Sequence, residues 1–205
     1  MAAPTSPAPV LAAPLGDRTT ARLRLVRFSH DHIDEIARLF AKPEVWMFPY
    51  ARGFNRAETE RFVDNQIAEW ETYGVACWLA FDRSTDNLIG YTGLSVPHFL
   101  PEVLPALEVG WRFDPDVWGR GYASEGAAAA LDEAFQTLGL NEVVSVPQSE
   151  NEPSWRVCER LGMEFDRLVI AEGNAMRGPV EARLYRISRS KWQQRSVGGN
   201  SAEPR

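Results

Sequence analysis

Cysteine and histidine are scarce in this chain of 205 residues, and the scarcity excludes two classes of scaffold at once. Cys77 and Cys158 stand far apart with no Cys-x-x-Cys, which excludes a disulfide framework and reads as two reduced thiols. His30, His32 and His98 form no metal-ligand spacing with either cysteine, so no metal is expected. No apolar run approaches the roughly 18 residues that a spanning helix needs, and no membrane association is expected. Positive charge is the minority sign: 22 Lys and Arg against 28 Asp and Glu leave a net charge of -6. That balance lacks the basic face that nucleic acid requires. The Ala/Pro-rich start has no basic segment followed by an apolar core, so a cytoplasmic protein is the expectation.

What the chain does have is an ordinary globular composition, 44% hydrophobic and 24% charged, at a length suited to one domain. The folded body is expected at 21–189, with a disordered Ala/Pro-rich tail at 1–20 and a flexible tail at 190–205. Within it, Ala21 to Arg27 alternates apolar and basic residues as a half-buried strand does. A helix from about Asp31, with Ser29 as N-cap, ends before Pro43, and a second runs from Arg56 to Tyr73 between Asn55 and Gly74. Three strand-like runs follow, at Val75 to Phe81, Leu88 to Val96 and Ala106 to Phe113. An alanine-rich helix from about Gly121 to Leu138, a strand at Glu142 to Val146, a helix from Pro153 to Leu161, and strands at Met163 to Ala171 and Val180 to Ile187 complete the order. A helix joining 106–113 to 142–146 implies a parallel crossover. The expected fold class is mixed α/β: a central, mostly antiparallel sheet of about seven strands flanked by four helices.

Trp118-Gly119-Arg120-Gly121-Tyr122-Ala123 carries the strongest chemical signal. It joins the strand ending at Phe113 to the alanine-rich helix. Glycines there let the backbone approach a ligand, and the first helical turn offers N–H groups without intrahelical partners at the positive end of the dipole. Phosphate is the natural guest. A dinucleotide-binding dehydrogenase would need such a turn early in the chain with an acidic residue about twenty positions later, and here the turn lies past the midpoint.

The order of elements, this turn, and Asn151-Glu152-Pro153-Ser154 with Cys158-Glu159-Arg160-Leu161-Gly162-Met163 together resemble the GNAT superfamily of acyl-CoA N-acetyltransferases, most closely its ribosomal-protein N-terminal acetyltransferase branch. The resemblance covers roughly 21 to 188 and implies a GNAT-like fold with acetyl-CoA as co-substrate. It implies that Trp118, Gly119, Arg120, Gly121, Tyr122 and Ala123 hold the pyrophosphate. Trp111, Arg112 and Phe113 would offer strand backbone to the pantetheine amides, with Asn151 and Ser154 flanking it. Two positions depart from the family pattern. Trp118 stands where the general pattern has Gln or Arg, a change of side chain in a contact made by backbone. Cys158 stands where many members place a tyrosine acid.

The implied reaction is direct attack of a neutral amine on a thioester in a ternary complex. Glu108 is the candidate base, acting through a water, although an alternating strand could equally turn it to solvent. An N–H between Val109 and Trp111 is the candidate oxyanion donor. Cys158 is the candidate acid, since a thiol near 8.5 matches a leaving thiolate, or else a small core residue. Asn151 can also cap its helix. Trp46, Phe48 and Tyr50 fall where this family builds its acceptor pocket, as a substrate wall or a core lid, and His98 in its proline-flanked loop borders the same cleft. The acceptor is a protein N-terminal α-amine or a small amine. The competing class is a non-catalytic acyl-CoA-binding regulatory module of the same fold, and edge strands leave room for a homodimer.

Overall fold

The computed structural model describes residues 15–198. Eight strands form one sheet: β1 (Arg18–Thr19), β2 (Leu23–Arg27), β3 (Cys77–Asp82), β4 (Leu88–Ser95), β5 (Leu107–Phe113), β6 (Glu142–Ser145), β7 (Glu164–Ala171) and β8 (Val180–Ser188). The strand order is β1-β2-β3-β4-β5-β6-β8-β7. All neighbours are antiparallel except β5 and β6, which pair in parallel at Leu107 with Val143 and Glu108 with Val144. The parallel crossover read from the sequence is therefore present, in a mixed α/β architecture.

The helices are α1 (Ile33–Phe40), the four-residue α2 (Met47–Tyr50), α3 (Arg56–Tyr73), α4 (Tyr122–Asp132), α5 (Glu152–Arg160) and α6 (Arg189–Gly198). Asn55 begins α3 with a capping box: its side chain accepts from the Glu58 N–H while the Glu58 carboxylate accepts from the Asn55 N–H. Gly74, at φ 74°, ends it.

Strand register sorts the side chains by face. Cys77, Leu79, Tyr91, Ser95, Glu108, Gly110 and Arg112 share the face covered by α1 and α3. Trp78, Leu94, Leu107, Val109 and Phe113 share the opposite face, against α4 and α5. Small residues let α4 lie directly on that face, where a Cβ on Gly126 would meet Thr92 Cγ2 at 2.5 Å.

Both expected tails need partial correction. Residues 15–20 are folded: Leu15 is buried and its N–H donates to Gly74 O (3.1 Å), Trp78 Nε1 donates to Gly16 O (3.2 Å), and Arg18 pairs with Glu133. At the other end α6 is anchored by Trp192, whose indole N–H donates to Asp132 Oδ1 (2.8 Å), and by a Lys191–Glu164 ion pair. Polar composition hid these anchors, one leucine and one tryptophan, inside Pro- and Ser-rich surroundings. The remaining tail residues, 1–14 and 199–205, lie outside the described residues. The eighth strand, β1, is two residues long and has no periodicity to read. Among the described residues no helix is long and apolar enough to cross a membrane.

Candidate active site

The Gly119–Ala123 turn has the form its sequence implies. Gly119 (φ 74°) and Gly121 (φ 82°) both occupy the left-handed region, where a side chain would be strained. A Cβ on Gly119 would meet nothing within 4 Å, so the turn is open on its outer side. Trp118 N–H donates to Pro115 O and Glu125 N–H to Gly121 O, whereas the amides of 119–123 have no protein acceptor among the described residues. The turn is braced from behind: Arg22 donates to Arg120 O (2.8 Å), and its guanidinium stacks 4.5 Å from the Tyr122 ring centroid and pairs with Glu125. The donors a diphosphate needs are thus unpaired and held in place. Trp118 is 53% exposed, with its indole N–H turned back to Phe113 O (2.8 Å).

Beside this turn the sheet opens. Asp114 N–H donates to Ile89 O (2.8 Å), and bonding direction alternates along an antiparallel pair, so Val109, Trp111 and Phe113 direct their main-chain groups away from β4. β6 meets β5 only at Leu107 and Glu108. Beyond that point the N–H of Trp111 lines an unpaired edge, as a cofactor arm with amide groups requires. Arg112 corrects the sequence reading: its main chain faces β4 and its side chain is a strut. The guanidinium donates to Val45 O and Phe48 O (2.8 Å), and to Tyr91 Oη (3.1 Å), and it lies 4.0 Å from the Trp46 ring centroid.

On the far wall, Asn151 caps α5, its side-chain oxygen accepting from Ser154 N–H (3.3 Å), which leaves its amide N–H₂ without a protein acceptor among the described residues. Residues 119–123, the free edge of β5 and the start of α5 therefore fit a diphosphate joined to an amide-bearing arm.

Glu108 sits where β5 and β6 part, half-buried, and accepts from the Val146 N–H (3.3 Å). Burial pushes its carboxyl up to about 7; the Val146 N–H opposes the rise and the nearby Glu69 charge adds to it. A carboxyl near 7 is suited to taking a proton at neutral pH. Cys158 is on the opposite face, 0% exposed among Val157, Leu161 and Met163. Burial pushes its thiol up to about 12, against a smaller lowering from its bond to Ser145. The match to a leaving thiolate expected from an ordinary thiol does not survive burial, and the thiol packs as a core residue.

The aromatic segment divides. Trp46 is buried, stacked on Phe54 (centroids 3.8 Å apart, 8° between planes), which makes it core rather than wall. Phe48 and Tyr50 are half-buried, and Tyr50 Oη accepts from Asn174 Nδ2 (3.1 Å), drawing the β7–β8 loop toward the α2 segment. His98 is exposed, its ring 5.7 Å from that of Tyr73 on α3.

One group escaped the sequence reading. Glu69 on α3 lies one turn beyond Gln66, whose side chain accepts from the Cys77 N–H (3.1 Å), and burial pushes its carboxyl up to about 7. Its Oε2 is buried without a hydrogen-bond partner among the described residues. The available signal was an acidic residue on the inward stripe of an amphipathic helix, between Gln66 and Trp70.

Comparison with known proteins agrees with this geometry. The chain is 30% identical over 189 residues to the FsC-acetyl coenzyme A-N(2)-transacetylase of Aspergillus fumigatus, covering 84% of this chain and 76% of that one. Its fold matches the ribosomal-protein-S5-alanine acetyltransferase of Vibrio fischeri (TM-score 0.66, 16% identity, 86% of this chain and 98% of that one). It also matches the spermidine N-acetyltransferase of Vibrio cholerae, solved with CoA and spermine (TM-score 0.66, 19% identity, 85% and 99%). The family model described as "Acetyltransferase (GNAT) domain" matches residues 22–164. With the turn, the parting strands and this match together, the chain belongs to the GNAT acetyltransferase family and is an acyl-CoA-dependent acetyltransferase.

Proposed function

We propose that this enzyme acetylates a primary amine, with direct attack of the amine in a ternary complex. The observation that carries the reading is spatial: unpaired amides at 119–123 and the free edge of β5 lead to Glu108, where β5 and β6 separate. Acetyl-CoA supplies the activated acetyl group as a thioester. Gly119, Arg120, Gly121, Tyr122 and Ala123 would hold its diphosphate through main-chain N–H groups, with Trp118 flanking. Trp111 and Phe113 main chain, Asn151 and Ser154 would border the pantetheine arm. The N–H of Trp111, beyond the last β5–β6 pair, is aimed at the open edge and serves as oxyanion donor. Glu108, its proton affinity raised into the neutral range, removes the proton from the acceptor ammonium. Trp46 shapes the acceptor cleft from beneath, and Phe48 and Tyr50 form its wall.

The acceptor we favour is a small-molecule amine: the Aspergillus fumigatus relative is named an N(2)-transacetylase, and the fold neighbour from Vibrio cholerae is named a spermidine N-acetyltransferase. A protein α-amine is the second reading, supported by the Trp118-containing loop that resembles the ribosomal-protein branch. Free-thiol release from acetyl-CoA, run against small amines and polyamines and against peptides of varied N-terminus, separates the two. Turnover with small amines alone supports the first. Saturable CoA binding with no turnover across both panels would instead mark a regulatory acyl-CoA-binding module.

A further inference from the structure

On the face of the sheet beneath α3, Glu108 and Arg112 flank Gly110, and a Cβ built on Gly110 would meet nothing within 4 Å. There is therefore a hollow over Gly110 rather than packed side chains. Glu69 projects from the sheet-facing side of α3, fixed there by its neighbours: Gln66 bonds the Cys77 N–H, and Trp70 Nε1 donates to Cys77 O (3.1 Å). Cys77 pairs with Gly93, and Gly93 with Gly110, so no side chain beyond Cβ-less glycine fills the row between them. Glu69 Oε2 is shielded from water and has no donor. A buried carboxylate oxygen without a donor costs free energy. A donor brought by the substrate removes that cost.

We propose that Glu69 is a positioning residue for the acyl transfer: it faces Glu108 over the Gly110 hollow, and the two carboxyl groups together receive the acceptor's ammonium group. This rests on the reaction proposed above and adds an acceptor class, amines that arrive as cations. One N–H bond of the ammonium breaks, its electron pair stays on nitrogen, and the proton passes to the Glu69–Glu108 pair, from which it later leaves to solvent. The groups facing Glu108 are Glu69 from α3, Arg112 from β5, Ser95 from β4, the Val146 N–H after β6 and Cys77 from β3, while Cys158 on α5 lies across the sheet. Glu69 is the like charge among these that raises it, and Arg112 the cation that lowers it. Burial raises both carboxyls in the same direction, to about 7. Two such groups in one hollow titrate as a coupled pair.

The test is a titration of the protein with ¹³C-carboxyl-labelled glutamate followed by NMR from pH 4 to 9, in wild type, Glu69→Gln and, as an exposed control on the same helix, Glu71→Gln. The expected result is that Glu69→Gln lowers the Glu108 midpoint by about one pH unit, a tenfold change in proton affinity, while Glu71→Gln leaves it in place. An unmoved Glu108 midpoint in a folded Glu69→Gln protein overturns the proposal. The second readout is the pH profile of kcat/KM by thiol release: its acid limb moves down by the same amount in Glu69→Gln, with CoA affinity unchanged. A matching shift in NMR with no turnover of any amine would sink the acetyltransfer reading and leave the carboxylate pair standing.

Discussion

At Glu108 two opposing influences decide what the residue can do. Desolvation favours the neutral carboxyl and the Val146 N–H favours the anion, and desolvation prevails, which places the group near 7. Glu108→Gln keeps the size and removes the basicity. Thiol release should fall by about 10²–10⁴-fold, while CoA affinity measured by calorimetry stays at the wild-type value. Cys158 tells the opposite story. With its thiol fully buried and raised to about 12, Cys158→Ala should leave the alkaline limb of the pH–rate profile unmoved. The same variant should lower stability in urea by about 1–2 kcal/mol through the lost packing. An alkaline limb that shifts or disappears would restore the thiol to the mechanism.

Among elements, α4 and the segment before α3 position the site, and each has one vulnerable contact. Gly126 lets α4 rest on Thr92, where a Cβ would lie 2.5 Å from Thr92 Cγ2. Gly126→Val should cost about 1–3 kcal/mol and weaken CoA binding with it, since α4 would lift and carry its N-terminal amides along; thermal melts and calorimetry check both. Arg112 ties β5 to Val45, Phe48 and Trp46. Arg112→Leu should raise KM for the amine with CoA affinity intact, as steady-state kinetics would report. Much of this level was legible in the sequence. The caps at Asn55 and Gly74, the glycine turn and the parallel crossover all rest on local chemistry or short-range order. Glu69 and the strut role of Arg112 were not legible, because each depends on which neighbours a distant strand or helix brings to it. Cys158 was visible as a position, but its proton affinity is a property of the closed core around it. β1 and α6 went unread for a related reason, their one or two anchoring contacts being long-range.

For the whole molecule, the titrating groups split into two sets with opposite signs. Glu58, held down to about 2 by Arg52 and the Asn55 N–H, and Asp82, held to about 2 chiefly by Ser84 and Tyr122, stabilise the fold above their ordinary range and lose that contribution as pH falls toward 2. Glu69 and Glu108, raised to about 7, bind protons more tightly folded than unfolded. Their contribution is full below about 4.5 and is lost as pH rises through 7. Stability to urea should therefore peak near pH 4–5 and decline toward neutrality, and the double variant Glu69→Gln/Glu108→Gln should flatten that decline. A wild-type curve that rises steadily from pH 5 to 7 would contradict the assignment.

The central claim is that unpaired amides at 119–123 grip a diphosphate, and titration calorimetry comparing CoA with pantetheine, which has the same arm but no diphosphate, tests it most directly. Saturable heat at one equivalent of CoA is expected, with at least tenfold weaker binding of pantetheine, a difference of about 1.4 kcal/mol or more. Equal affinities for the two, or no heat with CoA, would contradict it.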